Sequence, residues 1–344
     1  MSVAQRSRLV IDIRAGQVNA NRARAAPNTT MRLAGPGRAA IAGDGASGLN
    51  VRMDLPIPLA PAALRSPEPG AAYTVAQPAS QTAPLVLASA HSGRNYDEDF
   101  VAAVRLDALR LRRSEDSFVD ELFAAAPQQG VPLLAATFPR AFCDANREAW
   151  ELDPAMFEEK LPDWVNTTSA RVGAGLGTIA RVVASGETIY RRKLRFAEAE
   201  SRVRACWQPF HRALEGLIAQ TRARFGTCLL IDCHSMPAAV QPARGGADVV
   251  LGDAHGTTCG PHTIRRVEQV LEGLGYRVRR NDPYAGGFIT RHYGRPREGV
   301  EAVQIELNRA LYMDEARIEK LPGFARVQQD MATLIAAVAA PRAG

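Results

Sequence analysis

Residues 227–237, TCLLIDCHSMP, constrain this chain more than any other stretch. Cys228 to Asp232, with Leu229, Leu230 and Ile231 at the centre, read as a buried strand that ends abruptly in Cys-His-Ser-Met-Pro. Buried parallel strands of α/β proteins are short continuous apolar runs, and their ligands gather just beyond the carboxyl ends. His234, at that position, can offer a ring nitrogen to a metal or a substrate. Residues 84–93, PLVLASAHSG, repeat the arrangement with His91. Two strands that each end in His-Ser point to one shared site.

The pattern around them alternates. Strands are expected at 84–90, 131–138, 227–232, 276–280 and 301–307, and helices at 114–126, 195–225, 262–274 and 314–339. The long helix carries an apolar stripe (Val203, Cys206, Trp207, Phe210, Ala213, Leu214, Leu217) that Pro209 should kink or divide. Strands separated by helices imply an α/β fold: a largely parallel sheet with helices on both faces. Residues 71–344 read as a single domain, with 148–195 as an excursion from the sheet.

Residues 1–70 are rich in Ala, Arg, Gly and Pro and show no sustained period, so a disordered tail or a mis-assigned start is expected, with Met53 as the alternative beginning. They lack the apolar segment of a secretory signal. Eight arginines and two aspartates in residues 1–52 account for the whole net charge of +6. The neutral remainder lacks the electrostatic footprint that nucleic-acid binding requires. No window approaches the roughly 18 apolar residues of a membrane span. The five cysteines are odd in number and have no CxxC spacing, which favours a reduced, cytoplasmic protein over a disulfide framework.

Polar residues at the strand ends carry the chemistry. Two histidines, a carboxylate and a water make a zinc site with one open position. A glutamate beside it can move a proton from that water to a leaving amine. Glu306, on a core strand, would be costly to bury without a function or a partner. Arginine beside asparagine, as in Asn146-Arg147, suits a carboxylate, because guanidinium is a planar fork. Arg147 could equally pair with Glu148, Glu151 or Asp153, and Arg140 divides evenly between substrate contact and a buried ion pair. His211, on the long helix, reads as packed and satisfied. Neither Ser92 nor Ser235 lies in a G-x-S-x-G elbow, which disfavours a serine hydrolase.

The segments AHSGRNYDEDF, SEDSFVDELF, FPRAFCDANREAWELDP, GLGTI, LLIDCHSMP, NDPYAGGFITRHYGRP and VQIELNRALYMDE, in that order, resemble the N-formylglutamate amidohydrolases (deformylases) of histidine breakdown. That family resembles in turn the zinc exopeptidases and aspartoacylases, with their mixed, helix-flanked sheet. The resemblance implies a metal-dependent hydrolase of N-formyl-L-glutamate, with zinc, or cobalt or another divalent ion, as cofactor. It matches His91 and His234 to the histidine ligands, Asn146 and Arg147 to the carboxylate clamp with Arg140 as a helper, and Glu306 to the general base. It also places the loop holding Gly286-Gly287 at the site rim. The wider superfamily has a glutamate three residues after the first histidine, where this chain has Arg94. Asp116 is the expected replacement as metal ligand, with Glu115 its rival and Asp97 and Glu98 behind. The expected partner is a small N-acyl amino acid, with no nucleic acid and no membrane; the oligomeric state is not fixed by the sequence. Another N-acyl amino acid hydrolase or a small carboxypeptidase on the same fold is the alternative. A non-catalytic binding protein would be expected to have lost His91, His234 or Glu306.

Overall fold

The expected sequence of apolar runs becomes one seven-stranded sheet. A computed structural model describes residues 71–238 and 246–340, with the backbone of a hairpin pairing Ile11–Arg14 with Gln17–Ala20. The expectations for the rest of 1–70 fall outside the described residues. The strands are β1 (Tyr73–Ala76), β2 (Leu85–Ser89), β3 (Leu133–Ala136), β4 (Cys228–Met236), β5 (Val249–Gly252), β6 (Val278–Arg280) and β7 (Val300–Asn308). Their spatial order is β1-β3-β2-β4-β7-β5-β6. β3, β2, β4 and β7 run parallel, as buried apolar runs should. β1 lies antiparallel on β3, and β5 antiparallel on β7 with β6 parallel to it, so the sheet is mixed. β1 and β5, four residues each, fall outside the strands expected from the sequence.

Side chains alternate across the strands and divide the core into two layers. Val86, Ala88, Leu230 and Ala302 face a helix α1 (Gln208–Phe225) through Phe210, Leu214 and Leu217. Leu87, Ile231, Val303 and Ile305 face α2 (Pro261–Gly273) and a C-terminal helix (Phe324–Ala339) through Val267, Leu271, Leu334 and Ile335. Each fully buried Leu, Ile or Phe contributes roughly 1.5–3 kcal/mol relative to exposure. With both faces covered, the strand ends are rigid mounts.

Pro209 divides the long helix as expected. Phe196–Arg202 is α-helical, Val203–Trp207 is a π turn, and α1 restarts with Pro209 in its first turn. The proline supplies no N–H to the preceding turn and its ring needs space, so widening that turn by a residue accommodates it. Two expected helices are shorter. The 314–339 helix begins only at Phe324, after Pro322-Gly323, and Met313–Asp314 pairs instead with Glu319–Lys320. Of 114–126 only Val119–Leu122 is α-helical, entered through Phe118 at φ 68°. Among the described residues, no helix is long and apolar enough to cross a membrane.

Candidate active site

β2 and β4 lie side by side, and His91 follows the end of β2 by two residues. β4, expected to end at Asp232, continues through His234 to buried Met236 because it stays paired with β7. Asp116 comes from the turn before Val119, and its backbone N–H donates to the His91 carbonyl at 3.0 Å. His91, Asp116 and His234 are buried and can each present a ligand atom, all within 4.8 Å of one another. His234 Nδ1 lies 2.9 Å and His91 Nδ1 3.4 Å from Asp116 Oδ2. The far nitrogens are each held by a second carboxylate. His91 Nε2 donates to Asp144 Oδ1 at 2.7 Å, and His234 Nε2 donates to Asp232 Oδ1 at 2.7 Å. Both rings therefore turn their Nδ1 atoms toward Asp116. Carboxylate-oriented imidazoles of this kind are what metal-binding histidines use to fix tautomer and direction.

His91 Nδ1 is buried and makes no hydrogen bond among the described residues. An orphaned acceptor facing a carboxylate is repulsive unless a cation lies between them. The donor set, two imidazoles and one carboxylate, fits a divalent metal with an open fourth position. The other Asp116 oxygen is kept from rotating inward by Arg309, whose Nη2 donates to Oδ1 at 2.9 Å.

Glu306 sits opposite His234 in the β4–β7 pairing, and Gln304 opposite Asp232. Neighbouring parallel strands thus raise an Asp-x-His and a Gln-x-Glu from the same sheet face. Gln304 Nε2 donates to Glu306 Oε1 at 2.7 Å, and the other carboxylate oxygen is left to the cleft. Burial pushes Glu306 up to about 7; His234 opposes this and Asp116 adds to it. A carboxyl tuned there can both take and give a proton near neutrality. Burial also works against a charged His234 ring, yet Asp232 and Asp116 hold it well above its usual range, while His234 and His91 hold buried Asp116 well below.

The wall facing this floor comes from residues 139–147. Asp144, besides holding His91, receives Arg140 Nε on Oδ2 at 2.9 Å, and Arg147 Nε lies 3.7 Å away. Burial would raise the Asp144 pKa, but Arg147, Arg140 and His91 keep it well below the ordinary value. Arg147 is buried and donates to the carbonyls of Leu176 and Asn146 at 2.9 and 2.8 Å. Asn146 is engaged on both sides of its amide. Oδ1 accepts the Ile289 N–H at 2.8 Å, and Nδ2 lies 3.0 Å from His234 Nε2 and 3.5 Å from Asp232 Oδ2. Gly287 makes that packing feasible, since a Cβ there would fall 2.3 Å from Asn146 Nδ2. Gly286, at φ 113°, lies in the same loop and lines the cleft. His91, Asp116, His234, Glu306, Arg140, Arg147 and Asn146 all line one cleft of about 330 Å³.

Glu115, the rival ligand, points elsewhere: Arg112, Tyr96 and Ser117 all donate to its carboxylate. Asp97 caps the helix Glu98–Ala103, whose exposed first residue is Glu98. His211 is packed, bonded to the Ala145 carbonyl and the Tyr293 hydroxyl at 2.8 Å each, and burial lowers its pKa to about 3. Sequence reasoning missed Asp232, Asp144, Gln304 and Arg309. Asp232 had a readable signal, a carboxylate two residues before a histidine on a buried strand and therefore on the same face. Asp144 lies 53 positions from His91 and had none.

A family model described as N-formylglutamate amidohydrolase matches residues 83–313. The N-formylglutamate deformylase of Pseudomonas aeruginosa is 31% identical over 238 residues, covering 67% of this chain and 83% of that protein. The Pseudomonas putida deformylase is 29% identical over 237 residues, covering 67% and 82%. The crystal structure of N-formylglutamate amidohydrolase from Ralstonia eutropha matches with a TM-score of 0.74 at 40% identity, covering 78% of this chain and 97% of that one. A gene product from Agrobacterium tumefaciens matches with a TM-score of 0.55 at 17% identity, covering 78% and 96%, a likeness that bears on the fold alone.

Proposed function

Because the chain belongs to the N-formylglutamate amidohydrolase family and is thereby an amidohydrolase, we propose that it hydrolyses N-formyl-L-glutamate to formate and L-glutamate. The observation that carries this reading is the buried His91–Asp116–His234 group set beside Glu306 on one side and arginines on the other. His91, Asp116 and His234 would hold a divalent ion, zinc by the character of the donors, with cobalt as the alternative. When bound, it supplies Lewis-acid polarisation and a lowered pKa for water.

The protein's own groups do the rest. Glu306 takes a proton from the water that attacks the formyl carbon. As the C–N bond breaks, the same carboxyl gives that proton to the departing nitrogen, so glutamate leaves as an amine and the formyl carbon as formate. Arg147 and Arg140, with Asn146, fix a substrate carboxylate so that the formyl group meets the floor. Asp144 and Asp232 keep both rings aimed, and the Gly286-Gly287 loop covers the site. The five cysteines are buried and unpaired, which fits the expected reducing cytoplasm; the place in histidine breakdown rests on the family resemblance.

The direct test compares hydrolysis of N-formyl-, N-acetyl- and N-succinyl-L-glutamate by the metal-loaded protein. The formyl compound should be turned over best. Preference for a larger acyl group would replace this substrate with another N-acyl amino acid, and turnover of none would leave a binding protein on a hydrolase scaffold.

A further inference from the structure

Arg140, Arg147, Arg171 and Arg309 all line the cleft. Three of them already use part of their donors on protein partners. Arg309 binds Asp116 and Ser235, Arg147 binds two backbone carbonyls, and Arg140 binds Asp144. Arg171 differs. Among the described residues its guanidinium has neither a hydrogen bond nor an ion pair, and it stays exposed at the mouth of the cleft.

Its backbone is nonetheless well held. Arg171 lies in the short helix Ala170–Gly173, which starts with Ser169 Oγ accepting the Val172 N–H at 3.1 Å. The Leu176 N–H returns to the Arg171 carbonyl at 2.8 Å, and the Leu176 carbonyl accepts from Arg147. That chain of bonds brings Arg171 onto the same wall as Arg147. Partial desolvation in the cleft lowers the Arg171 pKa, with Asp144 and Glu151 opposing and Arg140 and Arg291 adding to the effect. Asp144 and Glu151 act on Arg171 only from a distance, and a guanidinium that lines the cleft without a hydrogen-bonded or ion-paired anion fits an anionic ligand. Apolar side chains, Leu176, Ala180, Val182 and Val183, line the same cleft.

An N-formyl dicarboxylic amino acid has two carboxylates separated by methylenes. The one beside the scissile nitrogen must stay close to the metal-binding floor, where Arg140 and Arg147 stand. The other needs a separate cation, reached across an apolar surface. Resting on the deformylase reading above, we propose that Arg171 determines specificity by binding the side-chain carboxylate of the substrate, so that the cleft selects dianionic over monoanionic N-formyl amino acids.

The test measures steady-state hydrolysis and equilibrium binding of N-formyl-L-glutamate and its monoanionic isostere N-formyl-L-glutamine, in the wild type, Arg171→Gln and Arg171→Lys. Removing one charge-assisted carboxylate contact should shrink the glutamate-over-glutamine preference in kcat/KM about 10- to 100-fold in Arg171→Gln, mostly through KM. Arg171→Lys should recover part of it. An unchanged preference in both variants overturns the role of Arg171 and leaves the deformylase reading standing. Were the wild type to bind N-formylglutamate without hydrolysing it, the proposed reaction would fall, and the ratio of binding constants would still decide for or against Arg171. A wild type that neither binds nor hydrolyses it overturns both.

Discussion

The floor and the wall of the cleft are built on different principles. The floor is fixed by strand register: His234 faces Glu306 and Asp232 faces Gln304 because two parallel strands pair over nine consecutive residues. The wall, residues 139–147 and 170–184, has little regular structure and is held by single contacts. His211 to the Ala145 carbonyl, Arg147 to the Leu176 carbonyl and Asn146 to the Ile289 N–H are three of them. Rigid elements hold reacting groups to the tolerance that chemistry needs, whereas loops change what is recognised at little cost to the scaffold. Changes in the floor should therefore strike turnover, and changes in the wall should strike binding.

The sharpest way to break that division is Glu306→Gln. It should fold, keep metal and lose about 10²- to 10⁴-fold in kcat; near-normal turnover in a stopped assay for formate would remove the floor's central role. Next comes the layer behind the proposed ligands. Asp232→Asn or Asp144→Asn should weaken metal affinity or activity by about 10- to 100-fold, and Asp116→Ala by more. Metal analysis after dialysis reads this directly, and full retention by Asp116→Ala would move the third ligand elsewhere. On the wall, Arg147→Met should raise KM for N-formylglutamate by about 10- to 100-fold with a smaller change in kcat. An equal fall in kcat would mean that the wall also takes part in the transition state.

The smallest effect concerns how the wall is anchored. His211 is neutral when folded, with a pKa of about 3 against 6.5 for an ordinary histidine. The unfolded chain therefore gains a proton that the folded one refuses as pH falls below about 6.5, so stability declines toward pH 3, by up to roughly 1.4 kcal/mol per pH unit. Above pH 7 the effect vanishes. Denaturant midpoints of His211→Gln, measured between pH 7 and 4, should fall less steeply than those of the wild type. A parallel fall would show that acid loosens the molecule elsewhere first.

The same division explains what was legible in the sequence. Apolar runs ending in histidine announced β2 and β4, and a glutamate in a third run announced Glu306, because strand periodicity carries position into space. Asp116 came from resemblance to relatives, since a turn has no period. Asp144 could not be paired with His91, nor Arg171 with Arg147, because irregular chain converts no spacing into contact. The strands β1 and β5 were not announced, and the mixed sense of the sheet was expected from the family resemblance rather than from the apolar runs themselves.

The β4–β7 pairing has one more consequence. Side chains on a strand alternate, so sliding β7 by one residue against β4 would turn Glu306 and Gln304 to the opposite face, among Ile231 and Cys233. Such a misassembled sheet could look native by its overall content of strand and helix, yet it would present Ile305 or Leu307 where the proton carrier belongs. Catalysis in a refolded sample therefore counts the molecules whose central strands have docked in step, a quantity that spectroscopy averaged over the whole backbone does not resolve.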